Sequence, residues 1–335
     1  MATTAPVAGS TEVSVVSRAV AVDSVVDIAA TPSEKVMARS SHTIDVKSAA
    51  VSWKFGQVLH VSATALSVPG GSMGTMCGRY ATTVDPGRLA ADLDALDETD
   101  DSAAGPNYNV APTNRVLTVV ERHDRDHPDD DPRLRIRRMR WGLIPVWTKA
   151  AEPGVPVKGK PLFNARADKA ATTASFRDAV KKRRCLVPMD GWYEWVVEGD
   201  PAAKGKAVKQ PFYMSSADGS RLYMAGLWSV WRDRDRPDMD PLLSCTILTT
   251  DAVGDLTRIH DRMPLPMPRE HWTAWLDPDH PAPLELLETP APEAVSGIVA
   301  RPVPALVNSV RNNGPELLAD IDAGSAEQAG QISLL

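Results

Sequence analysis

The sequence predicts an α+β fold, in which one domain is built on a mixed or antiparallel sheet that curls into a barrel-like core with a few short helices at its flanks. Patterns typical of β-strands outnumber helical ones, and the helical patterns are short and interspersed. The chain shows no regular strand–helix–strand alternation and no internal repeat. At 335 residues, with 43% hydrophobic and 24% charged residues, it is long enough to bury a substantial core.

The first element with a clear signature is a helix that begins after Asp85. Asp85 suits the N-cap position, and Pro86 suits the first turn because its fixed φ fits a helix. Leu89, Leu93 and Leu96 recur at helical spacing, so we expect the helix to extend to about Leu96.

A β-hairpin is predicted next. Its first strand is RVLTVVE (115–121), an acidic turn follows over 123–132, and alternating apolar and basic residues over 133–142 predict the returning strand. Further strand patterns are CLVPMDGWYEW (185–195), PFYMSS (211–216), RLYMAGLW (221–228) and SCTILTT (244–250). Short helical patterns are FRDAVKKRR (176–184), DAVGDLTRIH (251–260) and PREHWTAWL (268–276).

The folded domain is predicted to span residues 76–320, because eight of the nine tryptophans lie after Cys77. Residues 1–75 are rich in Ala, Val, Ser and Thr, and they lack the basic segment and compact apolar block of a secretory signal. Three interpretations of residues 1–75 stay open: a disordered extension, a start codon assigned too far upstream, or a removable leader. Residues 321–335 are predicted to form a disordered tail.

Charge and cysteine content narrow the function classes. The net charge of -6 argues against a protein that coats nucleic acid over its whole surface, but it permits a local basic groove. The three cysteines are widely spaced and match neither a disulfide framework nor a zinc motif, so we expect a cytoplasmic protein with no metal and no cofactor. Cys185 and Cys245 lie in apolar strand patterns and are expected in the core. No apolar run reaches the ~18 residues of a membrane span, so a membrane is not an expected partner.

Four short stretches carry reactive groups: CGRY (77–80), FNARA (163–167), DGWYEW (190–195) and IHDRMP (259–264). Within the third stretch, Trp192 and Glu194 would share one face of an extended strand, because successive side chains alternate. A carboxylate beside an indole is poorly solvated, which raises its pKa and suits a general acid–base. The alternative is an edge-strand glutamate that faces solvent, and the pattern leaves both open.

The remaining reactive side chains each have a chemical and a structural interpretation. His260 follows a predicted helix, so it could transfer protons or cap the helix carbonyls. Asn164 and Arg166 lie two residues apart, so on an extended segment they would face one side and bind an oxyanion or phosphate, or form a buried salt bridge. Cys77 directly follows a methionine, as a cysteine at a trimmed N-terminus would, but a lone cysteine is usually a small buried hydrophobe.

Basic residues cluster in two places despite the acidic total. Residues 181–184 form one run, and the returning strand of the hairpin carries the other, made of Arg133, Arg135, Arg137 and Arg140. Such clusters suit a solvated face. They suit equally a groove in which phosphates are held and bases stack on exposed tryptophans, here Trp141 and Trp147.

Seven motifs occur in one order along the chain. They are MCGRY (76–80), YNVAPT (108–113), WGLIPVW (141–147), FNARAD (163–168), DGWYEW (190–195), IHDRMP (259–264) and VNSVRNNGPEL (307–317). In this combination the chain closely resembles the SRAP family, the SOS-response-associated peptidases, over residues 76–318. The ordered set is far more specific than any one motif, and it covers essentially the whole predicted domain.

The resemblance implies a protein of the DNA damage response that crosslinks to abasic sites in single-stranded DNA. In the family the cysteine becomes the N-terminus after methionine removal, so Cys77 is implied as the nucleophile. Its α-amine, with an ordinary pKa of about 8, would form a Schiff base with the ring-opened sugar, and its thiol would then close a thiazolidine. Because an internal Cys77 has no free amine, we expect that translation begins at Met76 or that residues 1–76 are removed.

Roles for further residues follow from the resemblance one by one. Glu194 is implied to help open the sugar ring and to move protons as the crosslink forms and reverses. His260 is implied to assist proton transfer at the Schiff base and in associated lyase chemistry, and Asn164 to orient the cysteine and the sugar. Arg79 and Arg166 are implied to hold the phosphates that flank the lesion.

The resemblance also implies a DNA interface. Pro112, Trp141 and Thr249 lie where family members contact the DNA, which is expected to be single-stranded or sharply kinked. The protein is expected to act as a monomer that is cytoplasmic and associates with the nucleoid when it binds DNA.

Two other functions stay open on the sequence. The family name describes a thiol peptidase, in which Cys77, Asn164, Glu194 and His260 would cleave a peptide bond, including one that links a leader to the domain. A non-catalytic reader of single-stranded or modified DNA would use the arginines and tryptophans for binding alone.

Overall fold

The computed structural model describes residues 78–99, 105–159, 162–198 and 208–321. The predicted extension over 1–75, Cys77, and all but the first residue of the predicted tail over 321–335 lie outside the described residues.

Strands account for most of the regular structure in the described ranges. In chain order they are β1 (Tyr80–Thr82), β2 (Leu96–Asp97), β3 (Asn107–Val110), β4 (Arg115–Arg122), β5 (Arg133–Trp141), β6 (Ala150–Glu152), β7 (Val155–Pro156), β8 (Asn164–Arg166), β9 (Arg184–Met189), β10 (Gly191–Glu198), β11 (Val208–Ser216), β12 (Leu222–Trp231), β13 (Leu242–Asp251), β14 (Arg262–Pro264) and β15 (Ile298–Pro302). The predicted hairpin is confirmed as β4 and β5, and the other predicted strand segments fall in β9 to β13.

The helices are short, as the sequence predicts. The α-helices are α1 (Pro86–Leu93), α2 (Ala167–Ala170), α3 (Arg177–Lys182) and α4 (Trp272–Leu276). Single turns of 3-10 helix lie at Gly254–Arg258, Arg269–His271, Leu284–Leu287, Pro292–Val295, Ala305–Asn308 and Pro315–Leu318.

The first helix begins where its sequence signature places it and ends earlier than predicted. Oδ1 of Asp85 accepts a hydrogen bond of 2.9 Å from the Arg88 N–H, which is the expected N-cap. Asp94 adopts a left-handed conformation with φ of 52° and ends the helix there. The predicted extension to Leu96 is therefore wrong, because Leu96 pairs with Arg135 at the start of β2.

The larger sheet closes on itself. Its strands follow the order β14-β13-β12-β9-β4-β5-β2, and β5 also pairs in parallel with β13 through Ser244 opposite Arg140. That pairing closes a ring of β5, β4, β9, β12 and β13. The predicted α+β class, with a curled sheet and few short helices, is confirmed.

Both faces of this ring are covered by apolar side chains. Val119 and Leu186 belong to one hydrophobic cluster, whereas the adjacent Val120 and Val187 belong to a second. Because successive side chains in a strand point to opposite faces, β4 and β9 must be apolar at consecutive positions. The continuous runs in RVLTVVE and CLVPM are the result.

A second sheet, with the strand order β15-β11-β10-β1-β3, carries the DGWYEW motif on its central strand. The sequence predicts one continuous strand over 185–195, and this is wrong, because the chain leaves the first sheet at Met189 and enters the second at Gly191. Asp190 fixes the break: its Oδ2 accepts hydrogen bonds of 2.7 Å from both N–H and Oγ1–H of Thr83. Among the described residues, no helix is long and apolar enough to cross a membrane.

Candidate functional site

Glu194 and His260, which lie far apart in the chain, line the same small cavity. The cavity has a volume of about 10 Å³ and is lined by Trp192, Glu194, Met214, Leu256, Ile259, His260, Arg262 and Met263. The central strand β10 supplies the carboxylate, and the segment between the 3-10 turn at Gly254–Arg258 and β14 supplies the imidazole. An acid–base pair is thus held in a mostly apolar setting.

Glu194 is inside the protein. It is 2% exposed and lies on β10, which has β11 on one side and β1 on the other. The alternative of an edge-strand glutamate facing solvent is therefore wrong. Trp192 shares its face of the strand, as the alternation predicts, whereas Tyr193 packs in a different hydrophobic cluster on the opposite face.

His260 has a hydrogen-bond partner for Nδ1 in either protonation state. Nδ1 accepts from the Arg262 backbone N–H at 2.9 Å, which leaves the proton of the neutral ring on Nε2. Oδ1 of Asp261 lies 2.8 Å from the same Nδ1 and would accept a proton bonded there when the ring is charged. In the charged ring Asp261 accepts from Nδ1–H, and Nε2–H is the proton that the ring can give up.

Arg262 is a site residue to which sequence reasoning assigned no role. Its side chain is buried and donates to Asp251 Oδ1 at 2.5 Å, to the Thr249 carbonyl at 2.8 Å and to Thr249 Oγ1 at 3.3 Å. Its Nε has no hydrogen-bond partner among the described residues. The signal that could have found it is its place two residues after His260 in IHDRMP, at the start of β14.

The indole of Trp192 carries a second buried donor with no partner among the described residues, its Nε1. The side chain is 1% exposed and lines the same cavity as Arg262. An unpaired buried N–H costs about 1–3 kcal/mol of stability, so such groups are rare and each calls for a physical reason.

Asn164 and Arg166 sit at the two ends of the short strand β8. This strand pairs in parallel with β13, where Asn164 lies opposite Ile247 and Arg166 lies opposite Thr249. Arg166 is therefore next to the residue that holds Arg262. As predicted, both residues lie on an extended segment, which places alternate side chains on one side.

The guanidinium of Arg166 is exposed and already has an acidic partner. Nε and Nη2 each donate to a carboxylate oxygen of Asp168 at 3.0 Å. The hydrogen bonds from Arg166 lower the pKa of Asp168, and the same pair raises the pKa of Arg166. The pair lies at the surface, so a phosphate could compete with Asp168 for the guanidinium.

Arg79 is half-buried and bonded within the protein. Its Nη1 donates to Asn109 Oδ1 and to the Val307 carbonyl, both at 2.8 Å, and burial lowers its pKa. Its predicted contact with a phosphate stays a prediction. Arg79 precedes Tyr80, which lies opposite Trp192, so the chain enters β1 beside the strand that carries Glu194.

Two of the three predicted DNA-contact residues beside the arginines are buried. Trp141 is 0% exposed, and its Nε1 donates to the Phe163 carbonyl at 2.7 Å, so the expectation of an exposed Trp141 is wrong. Thr249 is also 0% exposed and holds Arg262. These side chains can act on DNA only through their neighbours. Pro112 is partly exposed, and Trp147 is 50% exposed, as expected.

The arginines of β5 do not form an open basic groove, nor are they simply solvated. Arg135 is buried and pairs with Glu98 and Asp124, and Arg137 pairs with the same Glu98. Arg140 donates to the Gly142 carbonyl at 2.7 Å. The charges of Arg135 and Arg137 are neutralised because β2 brings Glu98 alongside β5.

The basic run at 181–184 ends in a structural residue. Arg184 is 3% exposed and donates to the carbonyls of Val180 at 2.9 Å and Trp275 at 2.5 Å. Cys185 and Cys245 are both buried, as predicted, and burial raises the pKa of both thiols, that of Cys245 to about 12. Within the described ranges, no group of three or more His, Cys, Asp or Glu side chains is arranged to hold a metal ion.

Comparison with known proteins gives a consistent family assignment. The family model described as SOS response associated peptidase (SRAP) matches residues 76–310. The abasic site processing protein YoqW of Bacillus subtilis is 32% identical over 243 residues, which cover 72% of this chain and 99% of YoqW. The abasic site processing protein YedK of Escherichia coli is 32% identical over 257 residues, covering 73% of this chain and 100% of YedK.

More distant matches agree. The abasic site processing protein HMCES of Gallus gallus is 29% identical over 287 residues, which cover 74% of this chain and 79% of HMCES. A solved protein from Bacteroides thetaiotaomicron shares the fold, with a TM-score of 0.58 and 24% identity over 73% of this chain and 100% of that one. The chain belongs to the SOS response associated peptidase (SRAP) family.

Proposed function

We propose that this protein processes abasic sites in DNA, and that it does so by forming a covalent crosslink through Cys77. The observation that carries the proposal is the small cavity that Glu194 and His260 share, because it lies beside β1, the strand that follows Cys77 in the chain. The curated relatives named above are abasic site processing proteins, which supports the same substrate.

The chemistry requires a free α-amine on Cys77. The amine nitrogen attacks the C1 aldehyde of the ring-opened sugar, and loss of water gives a Schiff base. The thiol sulfur then bonds to the imine carbon while its proton moves to the nitrogen, which closes the five-membered thiazolidine. Glu194 and His260 exchange protons with the sugar oxygen, the nitrogen and the departing water. The active species is therefore proposed to begin at Cys77.

Binding of the DNA strand is proposed to use the exposed groups near the cavity. The guanidinium of Arg166 would exchange its carboxylate partner Asp168 for a phosphate oxygen, and Asn164, at the other end of β8, would orient the sugar. Arg79 would place a second positive charge at the entry to β1. We propose single-stranded DNA as the partner, a monomeric protein, and a cytoplasmic location with nucleoid association on binding.

The test is a crosslinking assay on the full-length chain carrying a protease site that allows cleavage directly before Cys77. The cut protein is mixed with a single-stranded oligonucleotide that has one abasic site, and the products are separated under denaturing conditions. We expect a shifted band from the cut protein, and none from the uncut protein or from Cys77→Ser. An equal band from the uncut protein would contradict the amine mechanism, and binding without a band would favour a non-catalytic reader.

A peptidase activity and a strand-cleaving lyase activity are proposed as finer assignments of the same site. The family's name describes a peptidase, and an acyl-enzyme on the Cys77 thiol would use Glu194 and His260 as its acid–base groups. Cleavage of the bond before Cys77 in the uncut chain, lost in Glu194→Gln, would support the peptidase. Shortening of the abasic oligonucleotide, lost in His260→Gln, would support the lyase.

A further inference from the structure

Two of the residues that line the cavity at Glu194 each carry an N–H donor that no described residue accepts. Trp192 and Arg262 both border it, and their Nε1 and Nε atoms are buried. The two donors come from different strands, β10 and β14. A local turn therefore does not explain why either donor lacks a partner. The other guanidinium nitrogens of Arg262 are bonded to Thr249 and Asp251, which fixes the orientation of the group.

The size of the cavity fits one water molecule. Its volume of about 10 Å³ matches the space that a single buried water needs. A buried water makes about three hydrogen bonds, and it can accept two and donate two. Glu194, whose carboxylate can accept hydrogen bonds, lines the same cavity.

We propose that Trp192 is a positioning residue whose indole N–H, together with Nε of Arg262, holds one water molecule against the carboxylate of Glu194. This inference rests on the proposed function for its chemical meaning, because there the water becomes the reactant that hydrolyses the Schiff base when the crosslink reverses. Trp192 therefore has a functional role in addition to its packing in the core.

With the water held against the carboxylate of Glu194, hydrolysis of the Schiff base takes the following steps. The water oxygen bonds to the carbon of the protonated Schiff base, the C=N π electrons move to nitrogen, and Glu194 takes one water proton. Glu194 then returns this proton to nitrogen and takes the hydroxyl proton. The C–N bond breaks with its electron pair on nitrogen, which restores the sugar aldehyde and the amine of Cys77. Formation of the Schiff base is the same step reversed, so it releases the same water.

The first arm of the test detects the water in the full-length protein without DNA. The nine tryptophans are labelled with 15N at the indole nitrogen, and Trp192→Phe and Trp275→Phe assign the two resonances that matter. We expect a water-to-indole Overhauser cross-peak at Trp192. Trp275 is the control, because it is equally buried but its Nε1 donates to the Cys185 carbonyl at 2.9 Å. A Trp192 indole without the cross-peak would overturn the inference.

The second arm measures the step itself, with protein cut before Cys77 and a preformed crosslink to labelled DNA. Release is followed in excess unlabelled abasic oligonucleotide, and formation is followed separately. Because one transition state serves both directions, Trp192→Phe should slow both by a similar factor of about tenfold or more, with unchanged DNA affinity. Trp275→Phe should change neither rate. Unchanged rates, or a change in one direction only, would contradict the role of Trp192. If wild-type protein forms no crosslink, the proposed function fails, and the first arm alone decides the water site.

Discussion

Nη1 of Arg79 donates to Oδ1 of Asn109 at 2.8 Å, and this contact ties the residue before β1 to β3. The Asn109 amide nitrogen donates in turn to the carbonyls of Val307 at 3.3 Å, Ser309 at 2.9 Å and Asn312 at 3.0 Å. The VNSVRNNGPEL motif is thus held by one buried amide, beside the strand that leads from Cys77 to the site.

The first prediction concerns this amide. Asn109→Ala removes one acceptor of Arg79 and the donor to the Ser309 and Asn312 carbonyls, so we expect the free energy of unfolding to fall by about 1–3 kcal/mol. Urea unfolding measures it, with Asn114→Ala as the control because the Asn114 side chain is exposed and accepts from a single donor among the described residues, Ala111 N–H. Equal losses in the two variants would show that Asn109 does not fasten the segment.

The second prediction separates chemistry from binding at Glu194. Glu194→Gln keeps the shape of this buried side chain but removes its ability to exchange protons, so crosslink formation should slow by about 10²–10⁴-fold. Affinity for single-stranded DNA, measured by fluorescence anisotropy, should stay the same. The control is Glu121→Gln, since Glu121 is a partly buried carboxylate on β4 whose pKa is raised by burial and which does not line the cavity. A normal rate in Glu194→Gln would remove Glu194 from the mechanism.

The third prediction uses the surface pair of Arg166 and Asp168. If a phosphate replaces Asp168 as the partner of Arg166, Asp168→Asn should bind single-stranded DNA more tightly. Arg166→Ala should bind more weakly. The slope of its log affinity against log salt concentration should become less steep by about 0.7. Titrations at several salt concentrations measure both effects.

A second arginine–aspartate pair provides the matched control for this experiment. Arg236 and Asp238 are also two residues apart, exposed and bonded twice, at 3.0 and 2.8 Å, but lie in the turn before β13. Arg236→Ala and Asp238→Asn should leave the affinity and the salt dependence unchanged. If they produce the same changes as the Arg166 and Asp168 variants, the effect reflects net charge rather than a phosphate contact.

Local patterns predict the elements and the faces that side chains share, because these depend on neighbours in the chain. The N-cap at Asp85, the hairpin of β4 and β5, and the common face of Trp192 and Glu194 are of this kind. The burial of Glu194 is not, since it depends on β10 being flanked by β1 and β11 rather than lying at an edge.

The wrong expectations also depend on contacts between residues that are far apart in the chain. The charge of Arg135 is neutralised by Glu98, 37 residues earlier in the chain. The break at Asp190 depends on Thr83, 107 residues away. Trp141 is buried because Tyr80 and Phe163 pack their rings against it, with centroids 5.3 and 6.2 Å away. Periodicity within a short stretch of sequence cannot predict such pairings between distant residues. The ordered motifs, in contrast, predicted the family and its candidate site residues together.

The fourth prediction tests the close packing beside the site. At Gly191 a Cβ atom would lie 2.3 Å from the Met214 carbonyl oxygen and 2.5 Å from Tyr213 Cζ, so Gly191→Ala forces the strands β10 and β11 apart. We expect a loss of about 1–3 kcal/mol in the free energy of unfolding. Gly105→Ala is the control, because a Cβ there has no neighbour within 4 Å. A stability equal to that of Gly105→Ala would show that the strands shift without cost.

The fifth prediction concerns the pH dependence of stability and rests on His123. Its Nε2 lies 2.9 Å from Asp279 Oδ2, and its Nδ1 lies 2.8 Å from the Asp130 carbonyl oxygen. These hydrogen bonds, that to Asp279 first, raise the pKa of His123 above its ordinary value of 6.5. A histidine whose pKa is raised on folding stabilises the protein fully below the unfolded pKa, and this contribution is lost as the pH rises through the folded pKa. Wild type should therefore lose stability between about pH 5.5 and about pH 8 relative to His123→Gln.

Urea unfolding at both pH values measures the difference, and His127→Gln, which changes an exposed histidine in the same turn, should behave as wild type. If His123→Gln shows the same pH dependence as wild type, the contact with Asp279 does not form in solution.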